Sequence, residues 1–264
     1  MEKQLSPEKA EKFCIIYAMY QIEKLTKFSN LFHAISTTRE GNMSYNFGDL
    51  KKVNENMQKF LVTCKVDGNR CSTIRLVHGT RIVEVKKPAN IYDPDSLVDA
   101  DAMITRVRRL FLLIKTADCL PIMLFDPKVQ AVGLVHAGWK GTENEITVKT
   151  VLDMKKYYGT KPSHLVVGIG PGIRKASYEF DKDTEKFSTN SRVWEKYISR
   201  KGDNYLVDLF KYNIDQLVHT GVKENNIIDC KIDTAKDKRF FSHYRDVRTS
   251  DGDRGRFVTV VGLK

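Results

Sequence analysis

The sequence predicts an α+β fold in a single domain, and three observations carry this prediction. Predicted strands outnumber the helices between them, and the helices do not alternate strictly with strands as they do in a doubly wound sheet. The central strands are nearly continuous apolar runs, which is typical of strands covered on both faces. No Pro/Gly/Ser-rich linker, internal repeat or low-complexity segment divides the 264 residues.

The chain opens with a helix signal. Ser6 is a candidate N-cap, Pro7 occupies the first helical position and Glu8 lies in the first turn. Apolar residues then recur at helical spacing at Ala10, Phe13, Cys14, Tyr17, Tyr20 and Leu25. We expect residues 1–30 to form a helical extension that packs on the main body, residues 31–264.

The next elements are a strand over residues 32–35 and a polar loop over residues 36–42. A second turn, residues 46–49, precedes a helix predicted around residues 53–61. Together they predict that the first strand of the body is followed by a surface helix.

Buried strands are predicted over residues 110–114, 121–125 and 131–135, with Asp126-Pro127 forming the turn between the last two. Farther along, residues 164–169 form another predicted strand. A helix over 209–219 and a strand over 257–261 complete the pattern.

The run Thr142-Glu143-Asn144-Glu145 matches a capping box. It predicts a helix that begins there and ends at Gly159. Trp139 and Lys140 would then lie just ahead of a helix N-terminus, a position that favours anions.

Composition excludes several function classes. The net charge is +11, but the lysines are mixed with acidic residues, so we expect solvated faces and no nucleic-acid partner. The five cysteines contain no Cys-x-x-Cys pair, which argues against a disulfide framework or a zinc ribbon. No apolar stretch approaches 18 residues, so we expect a soluble, cytoplasmic protein without a membrane partner.

Cys119, His136 and His78 each lie where an apolar run meets a loop. Zinc accepts Cys and His ligands, and three protein ligands with an open fourth position are typical of a catalytic site. The same thiol and imidazole also fit a nucleophile–base pair, and an isolated Cys commonly serves as a small core residue. Asp118 beside Cys119 favours a functional role, because a carboxyl group has little reason to lie in a core.

Several segments resemble the signature of the laccase-domain family, whose members are described as polyphenol oxidases and as purine nucleoside phosphorylases. The main ones are residues 116–121 (Thr-Ala-Asp-Cys-Leu-Pro), 136–141 (His-Ala-Gly-Trp-Lys-Gly) and 77–79 (Val-His-Gly). Further resembling blocks follow in the family's order: Ser36 to Arg39, Asn46 with Gly48-Asp49, Asp101-Ala102, Gly170-Pro171, Tyr178-Glu179 and Phe240 to Asp246. The likeness covers nearly the whole chain after residue 30.

The resemblance implies a four-layer α/β/β/α sandwich and a zinc ion bound by His78, Cys119 and His136. It implies phosphorolysis of adenosine, inosine and 5′-methylthioadenosine to free base and ribose 1-phosphate, together with adenosine deaminase activity. The small-molecule partners would then be purine nucleosides and phosphate. Copper-dependent phenol oxidation, with Cu²⁺ at the same His/Cys site, is the alternative, although six histidines without a His-x-His pair are unlike a multicopper cluster.

Roles for the remaining polar residues follow from the chemistry that the resemblance implies. Asp118 is the candidate for orienting a metal ligand or moving a proton, next to Cys119. Phosphorolysis requires a cationic pocket, for which Arg39, Lys140 and Arg245 are the candidates. Lys140 stands where the family usually has Arg, so it keeps the charge but loses the bidentate fork. Two other readings stay open: a cysteine hydrolase with Cys119 as nucleophile, and a non-enzymatic basic binding module.

Overall fold

The structure is a computed structural model that describes residues 19–181, 193–248 and 254–264. In chain order the strands are β1 (Leu31–Ile35), β2 (Cys71–Thr73), β3 (Ile82–Glu84), β4 (Ala102–Thr105), β5 (Phe111–Thr116), β6 (Leu120–Asp126), β7 (Ala131–Ala137), β8 (Val166–Ile169), β9 (Glu179–Asp181), β10 (Ile198–Lys201), β11 (Asn204–Val207), β12 (Ile227–Asp229) and β13 (Phe257–Leu263). The α-helices are α1 (Glu23–Thr26), α2 (Leu50–Thr63), α3 (Trp139–Glu143), α4 (Ile146–Tyr158), α5 (Leu209–His219) and α6 (His243–Asp246).

The strands form two large mixed sheets and a small one. The first has the order β1-β13-β5-β2 and the second the order β12-β8-β6-β7-β4-β3. In each large sheet the central pairs are antiparallel. The parallel pairs lie at the edges: β2 with β5 in the first sheet, and both β3 with β4 and β12 with β8 in the second. The third sheet, β10-β11-β9, is antiparallel.

Three apolar cores separate four layers. Met57 and Phe60 of α2 pack on Leu113 of the first sheet. On the opposite face of that sheet, Ile114 packs in a second core with Met123 of the second sheet.

The third core lies on the outer face of the second sheet, where Met154 of α4 and Leu217 of α5 pack with Val135 and Val167. The order is therefore helix, sheet, sheet, helix. This confirms the α+β class and the four-layer α/β/β/α sandwich in a single domain.

Most predicted elements are confirmed, with the strands longer by one or two residues at their ends. The helix at 209–219 has the predicted bounds. The strand pattern at 164–169 begins instead with a single 3-10 turn, Pro162–His164, and becomes extended at Val166.

The capping box at residues 142–145 is the main error. The helix begins earlier, at Trp139 after Gly138, and is interrupted at Glu145, whose φ is +60°. Thr142 lies inside α3, where its hydroxyl accepts a hydrogen bond from the buried Asn213 amide at 2.9 Å instead of capping a helix. The tertiary partner outweighs the local capping signal.

Most of the N-terminal helix signal, from Ser6 to Tyr17, lies outside the described residues. Tyr20 is extended and not helical, since its backbone exchanges hydrogen bonds with Ile35 at 2.8 and 2.9 Å. Ile22 and Leu25 are buried in the core between the sheets. Within the described part of the chain, no helix is long and apolar enough to cross a membrane.

Candidate metal centre

His78, Cys119 and His136 meet at one place in the fold. Their ligand atoms lie within 4.8 Å of one another. The Cys119 Sγ is 4.0 Å from the His78 Nε2, and the two imidazole rings cross at 77° with centroids 4.8 Å apart. The structure thus brings together the three residues that the sequence singles out as metal ligands.

Two neighbouring strands and one loop position these side chains. His136 lies near the end of β7, and Cys119 immediately precedes β6, the antiparallel partner of β7. His78 lies in the loop between β2 and β3 with a left-handed φ of +58°. A non-glycine residue adopts such a backbone only where its surroundings hold it there.

Asp101 holds two of the three candidate ligands. This fully buried carboxylate accepts hydrogen bonds from the His136 Nδ1 at 2.8 Å, the His78 amide at 2.9 Å and the Gly79 amide at 2.6 Å. It fixes the His136 ring so that the other ring nitrogen, Nε2, is directed to Cys119 and the ligand group, and it stabilises the left-handed turn at His78.

The sequence analysis gave Asp101 no role. Its signals in the sequence are its place in the Asp101-Ala102 block that resembles the family and its position at the start of a buried strand, β4, which pairs with the histidine-bearing β7.

The site favours a charged thiolate–imidazolium pair when no metal is bound. Burial opposes ionisation of Cys119, but the charge and hydrogen bonds of the two histidines lower its thiol pKa to about 6. Burial also opposes protonation of His136, whereas the Cys119 thiolate and the Asp101 carboxylate raise its pKa to about 9. Hydrogen bonds from His136 and two amides outweigh burial and lower the pKa of Asp101.

The carboxylate of Asp118 is not part of this group of ligand atoms. It accepts hydrogen bonds from the Thr234 hydroxyl and the Tyr244 amide, both at 2.6 Å. Burial raises its pKa despite these bonds. Asp118, which is adjacent to Cys119, therefore holds the start of α6 and the loop that contains Thr234 in place. The contact that orients a candidate ligand is made by Asp101 instead.

Arg39, Lys140 and Arg245 lie outside the set of described residues that line the cavity in front of the ligands. Arg39 and Lys140 are exposed, and the Lys140 ammonium lies 5.5 Å from the Trp139 ring centroid. Arg245 bonds to Asp246 and to the carbonyls of Thr234 and Phe240, at 2.8 to 3.1 Å. Its guanidinium thus serves the loop around α6.

The three candidate ligands open into a cavity of about 480 Å³, a size typical of small-molecule sites. Ile74 and Leu97 form part of its apolar wall. The polar part of the wall includes Lys115, Arg256 and His243. None of these three residues was indicated as a site residue by the sequence. Lys115 is hidden in an apolar strand pattern, and nothing local indicates that Arg256 lies beside it.

The donor set fits a metal ion. A tetrahedral zinc with Zn–S about 2.3 Å and Zn–N about 2.0–2.1 Å places its ligand atoms about 3.3–3.6 Å apart, so the three side chains need to close by about one ångström. Gly138 leaves room for this: a Cβ atom there would lie 2.9 Å from the Cys119 Sγ and 3.2 Å from the His78 Cδ2. The His136–Asp101 bond supplies the outer partner that metal-bound histidines generally have.

Comparison with known proteins assigns the chain to a family. The family model described as "Multi-copper polyphenol oxidoreductase laccase" matches residues 33–264. The chain belongs to this laccase family. A relative from Deinococcus radiodurans, named purine nucleoside phosphorylase, is 30% identical over 215 residues, which cover 81% of this chain and 79% of that protein. Another of the same name, from Bacteroides thetaiotaomicron, is 29% identical over 230 residues, with 79% and 84% covered.

Two solved structures share the fold of this chain. A hypothetical protein YfiH from Bacillus licheniformis superimposes with a TM-score of 0.81 at 27% identity, covering 94% of this chain and 97% of that one. YlmD from Geobacillus stearothermophilus gives a TM-score of 0.80 at 26% identity, covering 90% and 93%. Both superimpose on most of this chain, which agrees with the four-layer architecture described above.

Proposed function

We propose that the protein is a zinc-dependent purine nucleoside enzyme. It would phosphorolyse adenosine, inosine and 5′-methylthioadenosine to free base and ribose 1-phosphate or its methylthio derivative, and deaminate adenosine. The observation that carries the proposal is the group of His78, Cys119 and His136, which opens into a cavity of nucleoside size. The names of the relatives from Deinococcus radiodurans and Bacteroides thetaiotaomicron support the reaction class.

At this site the chain's own residues would hold the metal ion and bind the substrate. His78, Cys119 and His136 would hold the zinc, and Asp101 would keep two of them in place. Zinc bound there would supply a Lewis acid and lower the pKa of a bound water towards about 7.

The other task of these residues concerns the substrate. In phosphorolysis the bond between C1′ and the purine nitrogen breaks, a phosphate oxygen bonds to C1′, and the base leaves with a proton. The apolar wall at Ile74 and Leu97 suits the flat purine, and the cations of the cavity suit the phosphate. Asp118, which holds the backbone next to Cys119 and the start of α6, would act as a positioning residue.

The described residues do not support phenol oxidation, the activity named in the family's description. A multicopper oxidase needs a blue-copper site and a cluster held by many more imidazoles. The chain has six histidines; His33 is buried and accepts the Ile22 amide, and among the others only His243 lines the cavity with His78 and His136. Three ligands with one open position match zinc better.

The proposal is tested by a product assay coupled to metal analysis. Purified protein, loaded with zinc, is incubated with inosine, adenosine or 5′-methylthioadenosine, with and without phosphate. We expect about one zinc per chain and base release that depends on phosphate. Absence of phosphate-dependent base release from all three nucleosides at full zinc occupancy would refute the phosphorylase.

A second candidate is a cysteine hydrolase, which the arrangement of Cys119, His136 and Asp101 favours. Thiol, imidazole and carboxylate follow one another in the order of a catalytic triad, and the thiol pKa is about 6. The variant His78→Asn separates the two candidates, because it removes one metal ligand and leaves that triad intact. If His78→Asn loses both its zinc and its catalytic activity, the metal enzyme is supported. If the variant lacks zinc but keeps its catalytic activity, the hydrolase is supported.

A further inference from the structure

Two cations of the cavity wall are neighbours on one face of the first sheet. In the antiparallel register of β5 and β13, Lys115 lies opposite Val258, and Arg256 is two residues before Val258. Side chains two apart on a strand share a face, so Lys115 and Arg256 are diagonal neighbours, about 7–8 Å apart between Cα atoms. Both side chains line the cavity that contains the candidate metal ligands.

Aromatic rings of one short helix hold the two cations. The Lys115 ammonium lies 4.3 Å from the Tyr45 ring centroid, and the Arg256 guanidinium carbon lies 4.5 Å from that of Phe47. Tyr45 and Phe47 are the two ends of a single 3-10 turn. This packing limits the freedom of both long side chains before any ligand arrives, which lowers the entropic cost of binding.

No carboxylate of the described residues forms a direct salt bridge with either cation, although Cys119, Asp118 and Asp246 attract the Arg256 guanidinium. Both cations are half-buried. By contrast, Arg75 at the same cavity pairs with Asp99 at 3.2 Å. Burial lowers the pKa of Lys115 to about 8 and also lowers that of Arg256. A half-buried charge without a direct ion pair is costly, and a bound anion would reduce that cost.

We propose that Lys115 and Arg256 form an anion subsite that binds a phosphate group next to the candidate metal centre. The assignment rests on the proposed function for its place in the reaction, and it replaces Arg39, Lys140 and Arg245 as the phosphate-binding cations. A guanidinium and an ammonium on the same face suit a tetrahedral dianion, which accepts hydrogen bonds from both.

The phosphate could come from two sources that share this chemistry. Inorganic phosphate would be the nucleophile of phosphorolysis, whereas a nucleoside 5′-monophosphate would carry the group as part of the substrate. A competition between the two anions distinguishes them, since both would occupy the same cations.

The experiment measures binding, so it does not depend on turnover. Titration calorimetry of the zinc-loaded protein with inorganic phosphate, and separately with inosine 5′-monophosphate, is carried out on the wild type, Lys115→Met and Arg256→Gln. Lys140→Ala and Arg39→Ala are the matched controls, because each removes a positive charge outside the cavity wall. Thermal unfolding verifies that each variant is folded.

We expect each cavity variant to weaken phosphate binding at least tenfold and each control to change it less than twofold. Equal binding by the wild type and both cavity variants would overturn the subsite. Tighter, Lys115-dependent binding of the monophosphate than of inorganic phosphate would support the subsite but overturn its assignment to the nucleophile. Phosphate binding without any turnover would refute the proposed function and leave the subsite standing.

A wild-type measurement applies if a cavity variant does not fold. An amine-reactive reagent at pH 8 should label Lys115, and phosphate should protect it while labelling of Lys140 is unchanged, as read by peptide mass spectrometry. Equal labelling of Lys115 with and without phosphate would contradict the subsite.

Discussion

Replacing Asp101 by Asn tests how the site is built. Asn keeps the size of the side chain and one acceptor oxygen, but it removes the negative charge and places an NH₂ group where a carboxylate oxygen was. In the structure one carboxylate oxygen of Asp101 accepts the His136 Nδ1 at 2.8 Å and the other accepts the Gly79 amide at 2.6 Å. The amide oxygen of Asn can accept at only one of these two positions. At the other position the NH₂ group of Asn would face the N–H donor of His136 or Gly79, and no hydrogen bond could form.

The expected loss can be estimated from those contacts. Outer partners of metal-bound histidines typically contribute 10- to 100-fold to metal affinity, which corresponds to about 1.4–2.7 kcal/mol. Asp101 contacts both His136 and the left-handed turn at His78, so we expect a value near the upper end. The ligands themselves remain, so some zinc binding should persist.

Competition with a chromogenic chelator at fixed pH measures the zinc dissociation constant of the wild type and Asp101→Asn. Asp99→Asn is the matched control, because Asp99 precedes Asp101 by two residues but is exposed and pairs with Arg75. A zinc affinity of Asp101→Asn within twofold of the wild type would refute the role given to Asp101. Weak binding by the wild type itself would instead refute the metal centre.

Three further predictions follow from the site. Zinc affinity should rise about tenfold per pH unit between about pH 6 and 9 and level off above pH 9. Zinc must displace the proton of His136, whose pKa is raised to about 9, whereas Cys119 is already ionised above about pH 6. A flat pH profile in chelator competition would contradict this coupling. Gly138→Ala should weaken zinc binding without unfolding the chain, since its Cβ would lie 2.9 Å from the Cys119 Sγ; unchanged affinity would show that the ligands do not close there. Asp118→Ala should lower the free energy of unfolding by about 2–4 kcal/mol in urea, because it strands the Thr234 hydroxyl and the Tyr244 amide; a loss below about 0.5 kcal/mol would mean that these bonds contribute little.

Much of the fold could be predicted because the buried strands have nearly continuous apolar sequences. The strands around residues 110–135 and the helix at Leu209–His219 follow directly from that pattern. The position of α3 could not, because Thr142, which matches a helix cap locally, is instead bonded to Asn213, 71 positions away in the chain.

The site shows the same division. His78, Cys119 and His136 carry distinctive chemistry at the ends of apolar runs, so a sequence reveals them. Asp101 and Lys115 take on their proposed roles only through contacts with residues far away in the sequence. Lys115 meets Tyr45 from a distant loop, and nothing in its local sequence indicates that contact.

Phosphorolysis is tested most directly by incubating the zinc-loaded protein with inosine and inorganic phosphate, with ³¹P NMR to measure the sugar phosphate and liquid chromatography to measure the base and free ribose. We predict ribose 1-phosphate in an amount equal to the hypoxanthine released, with no product from the Cys119→Ala variant, which should also lack zinc. Hypoxanthine accompanied by free ribose would contradict phosphorolysis. Undiminished turnover by Cys119→Ala would contradict the role of the His78, Cys119 and His136 group.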